Sequence, residues 1–336
     1  MPAVMIFRQL SERLFIALMV SVALIGCSSK PTQDNTTVNT RALFDPWCQY
    51  AADGLAEQIS QKCIDNAAAG DVDALTNLAY LYAKGILVEQ DFVQAMAYYR
   101  KAAHQGMPEA QYSLAEMYRG GRVGEANYEL ARYWYQQLAS QAVDPQFPRH
   151  QVDAQFMLGL MHFQGLGDAV DLEAAQHWLT LSSNNGHSEA PYVLGKIYLE
   201  HYQQPEQALK WYQLSAEREF APAMHQIGMM YIDGKAGEVD AVKATTWLER
   251  AASLGLAEAQ VDLATSEYNG INGEPDFIKI YVWLDAAAGQ GNAMAKQRLE
   301  FIAAKLSPQQ LVKAQALSKQ CSASQFKQCK ILNLAN

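Results

Sequence analysis

The sequence predicts an all-α fold, a solenoid of six helix-turn-helix repeats closed by capping helices, and three observations predict it. A short motif, Ala-x-x-x-Leu-Gly/Ala, recurs with its alanine at Ala74, Ala110, Ala154, Ala190, Ala223 and Ala259, and a last copy starts at Ala295. An aromatic residue recurs between these alanines, at Tyr98, Trp134, Trp178, Trp211, Trp247 and Trp283. The step from alanine to aromatic is 24 residues in five of six copies, and the step from aromatic to the next alanine is 12 residues in five of six. Five of the six tryptophans sit at this one position, which chance does not produce. A fixed period of this length marks a repeat array, in which stacked units bury a continuous core that no single unit can build.

The chain has 336 residues, half of them hydrophobic, enough for a sizeable core. Its net charge of -9 gives no case for nucleic-acid binding, and no run of like charge forms a basic or acidic tail. Residues 1–26 read as a targeting segment. Arg8 and Arg13 form a short basic start, and Phe15 to Ile25 is an 11-residue apolar run. That run is too short to span a bilayer as a free helix but suits a signal peptide. It ends in Leu24-Ile25-Gly26-Cys27, which resembles the lipobox of bacterial lipoproteins. The resemblance implies cleavage before Cys27, lipid on its thiol and attachment to the membrane through that lipid. By resemblance to enterobacterial sorting, Ser28 in place of Asp implies the outer membrane, where the chain is expected to face the periplasm. An ordinary signal peptide with an incidental cysteine and an uncleaved membrane anchor are the alternatives. Residues 27–41 are polar apart from Val38 and are expected to form a flexible tether.

Residues 42–69, with Trp47, are expected to be N-terminal capping helices, and 70–290 the six repeats. Within a repeat, Ala74, Leu78 and Tyr82 are spaced by four and share one helical stripe. Gly85 breaks this helix A. Asp91, Asn127, Asp171, Asp240 and Asp276 each precede a second periodic stretch, where an N-cap carboxylate or amide would accept from free backbone N–H groups. The fourth repeat has Gln204-Pro205 there instead. Helix B carries Ala95, Tyr98 and Ala102, with the large ring expected to fill the gap between repeats. Gly106, Gly186, Gly255 and Gly291 follow the B helices, where a left-handed C-cap favours glycine. Two spacings are irregular. Eight extra residues enter between Trp134 and Ala154, around Ala142 to His150, and three are missing between Ala190 and Trp211. In residues 291–336, the C-terminal cap, Ser307-Pro308-Gln309-Gln310 has the pattern of a capping box.

The fifth repeat reads Ala223-x-x-x-Ile227-Gly228-x-x-Tyr231-x-x-Gly234, then Asp240-x-x-Lys243-Ala244-x-x-Trp247-Leu248-x-x-Ala251-Ala252-x-x-Gly255. This closely resembles the SLR (Sel-one-like repeat) family, relatives of the tetratricopeptide repeat. The resemblance covers roughly residues 70–300. It implies a right-handed α-solenoid that binds another protein and performs no chemistry. Glu267 and His162 depart from the tyrosine of the pattern, and the fourth repeat lacks the glycine between its helices.

With Cys27 lipidated, Cys48, Cys63, Cys321 and Cys329 remain, all outside the repeats. An exported chain favours oxidation. Joining the two ends would require the tips of an extended superhelix to meet, so Cys48–Cys63 and Cys321–Cys329 are the expected pairs, each adding about 2–4 kcal/mol. Free buried thiols are the alternative. No metal-ligand spacing, nucleophile elbow or phosphate loop is present, so the chain is not expected to be an enzyme or to hold a cofactor or metal. One Ser-x-x-Lys occurs, at Ser324 to Lys327. It leaves a penicillin-interacting hydrolase as a weak alternative.

The binding face is expected two and six residues after each helix A alanine, opposite the packed stripe. The first set is Thr76, Tyr112, Phe156, Tyr192, His225 and Val261. The second is Tyr80, Glu116, Leu160, Lys196, Met229 and Thr265. By similarity to tetratricopeptide repeats these line a concave groove. Its rings are either anchors for a partner or packing between repeats. The expected function is a non-enzymatic scaffold or adaptor for another protein of the cell envelope, with a glycan-binding lipoprotein as the alternative.

Overall fold

A computed structural model describes residues 59, 61–141, 148–270, 273–324, 326 and 329. The signal segment, Cys27, the tether, Cys48 and most of the expected N-terminal cap lie outside the described residues, as does the centre of the eight-residue insertion. The chain divides into two units at residues 43 and 44, and everything below concerns the second.

The described residues form fifteen α-helices and no strand. Helix α1 (Gln61–Ala68) precedes six helix pairs: α2 (Val72–Lys84) and α3 (Phe92–His104); α4 (Pro108–Arg119) and α5 (Tyr128–Ala139); α6 (Pro148–Gln164) and α7 (Leu172–Asn184). Then come α8 (Ala190–Lys196), continued by a π segment Ile197–His201, and α9 (Pro205–Glu217); α10 (Ala221–Ile232) and α11 (Ala241–Ser253); α12 (Ala257–Tyr268) and α13 (Phe277–Gly289). Helices α14 (Ala293–Ala303) and α15 (Pro308–Ala323) follow. From α1 to α14 each helix packs on its chain neighbours, as in an α-solenoid, and α15 packs back on α13.

The packing logic is local and repeated. All seven motif alanines are fully buried. At the next small position, a Cβ on Gly195 would lie 2.5 Å from the Tyr212 ring and one on Gly228 2.9 Å from Leu248 Cγ. Helices A and B therefore approach too closely for larger residues. The B-helix residue in this contact is Tyr99, Tyr135, Leu179, Tyr212, Leu248 or Leu284, each at most 4% exposed. This corrects the sequence reading. The conspicuous Tyr98, Trp178, Trp211 and Trp247 are only half-buried, while the residue after each fills the core. Trp134 and Trp283 are buried as expected, but at the other four repeats the aromatic period marked the register and named the wrong neighbour, because a large ring at a layer boundary repeats as faithfully as one inside it.

The helix ends follow the sequence closely. Asp91, Asn127, Asp171, Asp240 and Asp276 each accept from backbone N–H groups of the B helix they begin. After α3, Gly106 adopts φ +87°, its N–H reaches the Ala103 carbonyl, and the Met107 N–H reaches Ala102, a Schellman ending. Gly186, Gly255 and Gly291 repeat it. Ser307 and Gln310 form the expected capping box.

Cys321 and Cys329 are disulfide-bonded with Cα atoms 4.5 Å apart. Between them, Phe326 folds back and stacks on Trp283 at 5.3 Å, so the clamp seals the last repeat. Cys63 is also disulfide-bonded, to a partner outside the described residues.

Candidate binding face

Tyr80, Tyr112, Glu116, Phe156, Leu160, Tyr192, Lys196, His225, Met229 and Thr265 are all half-buried. Each therefore offers part of its surface and spends part on packing. Thr76 and Val261, placed in the same set from sequence, are buried and present no face. The Thr76 hydroxyl instead donates to the Val72 carbonyl, one turn back.

The rings bridge successive repeats. Tyr112 meets Tyr135 of its own repeat and His150 at the start of the next, both edge-on. Phe156 stacks on His187 with centroids 4.2 Å apart. Tyr192 packs against Tyr212 and Phe220. Burial, with Glu200, Glu189 and Glu258 nearby, pushes the Tyr192 hydroxyl up to about 12. Polar members are similarly tied. Glu116 receives two bonds from Arg119, at 2.7 and 3.0 Å, and one from the Tyr135 hydroxyl. That bond to Glu116 holds the Arg119 guanidinium well above its usual range. His225 lies 2.7 Å from Asp262 of the following repeat, and Lys196 pairs with Glu200 at 4.0 Å.

Two patterns on this face escaped the sequence reading, although its own register contained them. One residue before the motif alanine stands a carboxylate in five repeats: Asp73, Glu109, Asp153, Glu189 and Glu258. Burial first, then the neighbouring acid, raises Glu109 (beside Asp73) and Glu189 (beside Asp153). One residue after the alanine stands a buried glutamine in three. Gln111 and Gln260 donate to carbonyls at the end of the preceding B helix. Gln141, Asn185 and Gln290, at the ends of their own B helices, donate to Gln111, Gln155 and Gln260 in turn. The Gln111 and Gln260 relays each join three helices in a fixed phase, and the Gln155 relay joins two.

At the seam of repeats three and four, His187 sits where the chain enters α8. Its Nδ1 accepts from the Glu189 and Ala190 N–H groups at 3.2 and 3.3 Å, and its Nε2 is 3.6 Å from Asp153. Burial, then Arg149 and Arg218, depress it to about 4, so the ring is neutral and free to accept.

A stack of helix pairs with one partly open stripe per inner helix defines a helical-repeat interaction module. The Sel1 repeat model matches residues 72–107, 108–143, 152–187, 190–220, 221–256 and 257–292. The chain belongs to the Sel1-repeat family. It is 30% identical over 186 residues to the Escherichia coli Sel1-repeat-containing protein YjcO, covering 53% of this chain and 77% of YjcO. It is 32% identical over 136 residues to an exopolysaccharide production negative regulator of Rhizobium leguminosarum, covering 37% of this chain and 48% of that protein. Among solved structures it is similar to c5321, a protective antigen of uropathogenic Escherichia coli with an SLR fold. The TM-score is 0.66 at 27% identity, over 85% of this chain and 62% of that one. The chain thus spans less than two thirds of c5321 and about half of the Rhizobium protein. Sel1-repeat solenoids are typically protein-interaction scaffolds and generally non-catalytic.

Ser324 of the Ser-x-x-Lys match ends α15, its hydroxyl donating to the Cys321 carbonyl at 3.0 Å. That position finishes a helix; Lys327 lies outside the described residues.

Proposed function

We propose that this protein is a lipid-anchored adaptor of the bacterial cell envelope that holds a partner protein along the exposed stripe of its A helices. The observation that supports this most is the repetition of one half-open register, from Tyr80 through Met229, on successive helices. Such a face offers rigid aromatic and polar groups already held in place, so little entropy is lost on docking. The anchor reading rests on the Leu24-Ile25-Gly26-Cys27 pattern. The Rhizobium relative, an exopolysaccharide production negative regulator, favours a partner in polysaccharide production.

Crosslinking in intact cells, followed by identification of the partner, tests the reading. Tyr112→Ala and Tyr192→Ala are expected to weaken capture by more than about 1 kcal/mol each, the mark of an interface anchor. Unchanged capture by the folded variants would remove the stripe from the interface. Separately, Cys27→Ser is expected to abolish lipid labelling and leave an uncleaved precursor; a variant still processed and labelled would remove the anchor.

A further inference from the structure

The fourth repeat departs from the others in a way that opens a second surface. Its loop between helices is three residues short, helix A runs on through the π segment Ile197–His201, and Tyr202 closes it. Along the seam with repeat three lie two adjoining hollows of about 520 and 500 Å³, which share Glu173. One wall is helix α7. Its Glu173, Gln176, His177, Thr180 and Asn184 line the hollows. They fall on one helical stripe, about 17 Å long at the rise of an α-helix. The other wall carries Tyr198 and Tyr202, with rings 5.6 Å apart.

The chemistry of this trough is selective. No lysine or arginine lines it, so nothing there would hold a phosphate or a polyanion. Two of its carboxylates are engaged. Asp168 pairs with Arg132 at 3.5 Å, and Asp171 accepts from the Ala174 N–H. Glu173 alone stands open on the stripe, too little charge for a strongly basic segment. Its aliphatic side chains, Ala169, Val170, Leu172, Leu181 and Leu194, are interspersed with polar ones along both hollows, and Leu194 is fully buried, which disfavours an acyl chain. What remains is a row of carboxylate, amide, imidazole and hydroxyl groups facing two phenol rings. That row can donate to and accept from vicinal hydroxyls, while a ring packs on the C–H face of a pyranose.

We propose that this trough binds a neutral oligosaccharide, with the α7 stripe hydrogen-bonding its hydroxyls and Tyr202 packing on a sugar ring. The site lies apart from the A-helix stripe and does not depend on the adaptor reading.

The test uses the purified full chain in detergent, titrated calorimetrically with chitotetraose, cellotetraose and maltotetraose. At least one is expected to bind saturably. Gln176→Ala/His177→Ala, which removes solvent-facing polar groups and leaves the core intact, is expected to weaken that binding at least tenfold. Tyr112→Ala on the other face is expected to leave it unchanged while weakening protein capture. Absence of binding by all three sugars, or binding indifferent to the α7 double variant, overturns the proposal. So does a lysine-rich peptide that competes with the sugars' site and is lost in Glu173→Gln, which would assign the trough to a peptide. If sugar binding fails and protein capture stands, only the trough reading falls.

Discussion

The fourth and fifth repeats share a core and differ at nearly every edge. Ala190, Leu194 and Tyr212 pack in one as Ala223, Ile227 and Leu248 do in the other, all at most 1% exposed. The fifth repeat turns between its helices at Gly234 with φ +70°, caps α11 with Asp240, and ends it at Gly255 with φ +89°. The fourth makes the same turns with the wrong residues. Gln203 adopts φ +54° and Glu219 φ +59°, and Gln204 gives α9 no side-chain cap bond. Glu219 still completes the Schellman pattern, with its N–H on Ala216 and the Phe220 N–H on Ser215. The difference teaches that the buried triplet sets the repeat, and that neighbours stacked on both sides carry an edge which local preference would not choose.

The largest expected effect tests that claim at its centre. Tyr212→Ala should cost about 3–5 kcal/mol, as for other large buried rings. Trp211→Ala, next in sequence but half-buried, should cost about 1–2 kcal/mol for the smaller apolar area it removes from water. Denaturant unfolding of both measures the contrast. Equal losses would return the core to the tryptophan period.

The second effect concerns the entry to each repeat, where the fourth has His187 and the fifth Phe220. A His187 ring held near 4 binds its proton less readily folded than unfolded, where the value is near 6.5. Below about pH 6.5 the unfolded chain takes up the extra proton, so stability falls as pH falls through that window. The loss approaches about 3 kcal/mol near pH 4. Asp153 and Glu189, raised chiefly by burial, act in the opposite sense. Folded, they hold protons at a pH where the unfolded chain has released them, which favours the folded state as pH falls through their own range. Thermal melts from pH 7 to pH 4.5 should show the His187 slope, and His187→Gln should flatten it. A slope that survives that substitution would move the cause elsewhere.

Smaller effects compare the glycines of close approach. Gly195→Ala drives a methyl into the Tyr212 ring, which has nowhere to turn, and should cost about 1–2 kcal/mol net of the better helix propensity of alanine. Gly228→Ala meets Leu248 Cγ at 2.9 Å and the Ala244 carbonyl oxygen at 3.2 Å, a less severe overlap, and should cost less than Gly195→Ala. The reverse ranking would mean that the two repeats are packed differently despite their shared pattern.

The smallest effect sharpens the comparison at the helix ends. Glu219→Gly should raise stability by about 0.5–1 kcal/mol, because a left-handed residue is strained unless it lacks a Cβ. Gly255→Ala should lower it by about 1 kcal/mol for the same reason. Chemical denaturation resolves both, and a loss in Glu219→Gly would show that its side chain does more than end α9.

The sequence by itself determined the register of the six repeats, the residue type at every B-helix N-cap but one, the glycine-ended turns and the C-terminal capping box. Each rests on interactions within a few residues, so spacing alone carries it. It also named the stripe of A-helix residues that the structure leaves half-open. Only the tertiary structure decided what those residues touch: that Phe156 stacks on His187, that Glu116 is held by Arg119 and Tyr135, and that Thr76 and Val261 are shut inside. It decided, too, that Tyr212 and not Trp211 is the core ring, and that three missing residues become a π segment beside an open trough. These outcomes depend on the distance and rotation between one helix pair and the next. Those follow from the summed volumes packed between neighbouring helices, which a period along the chain does not encode.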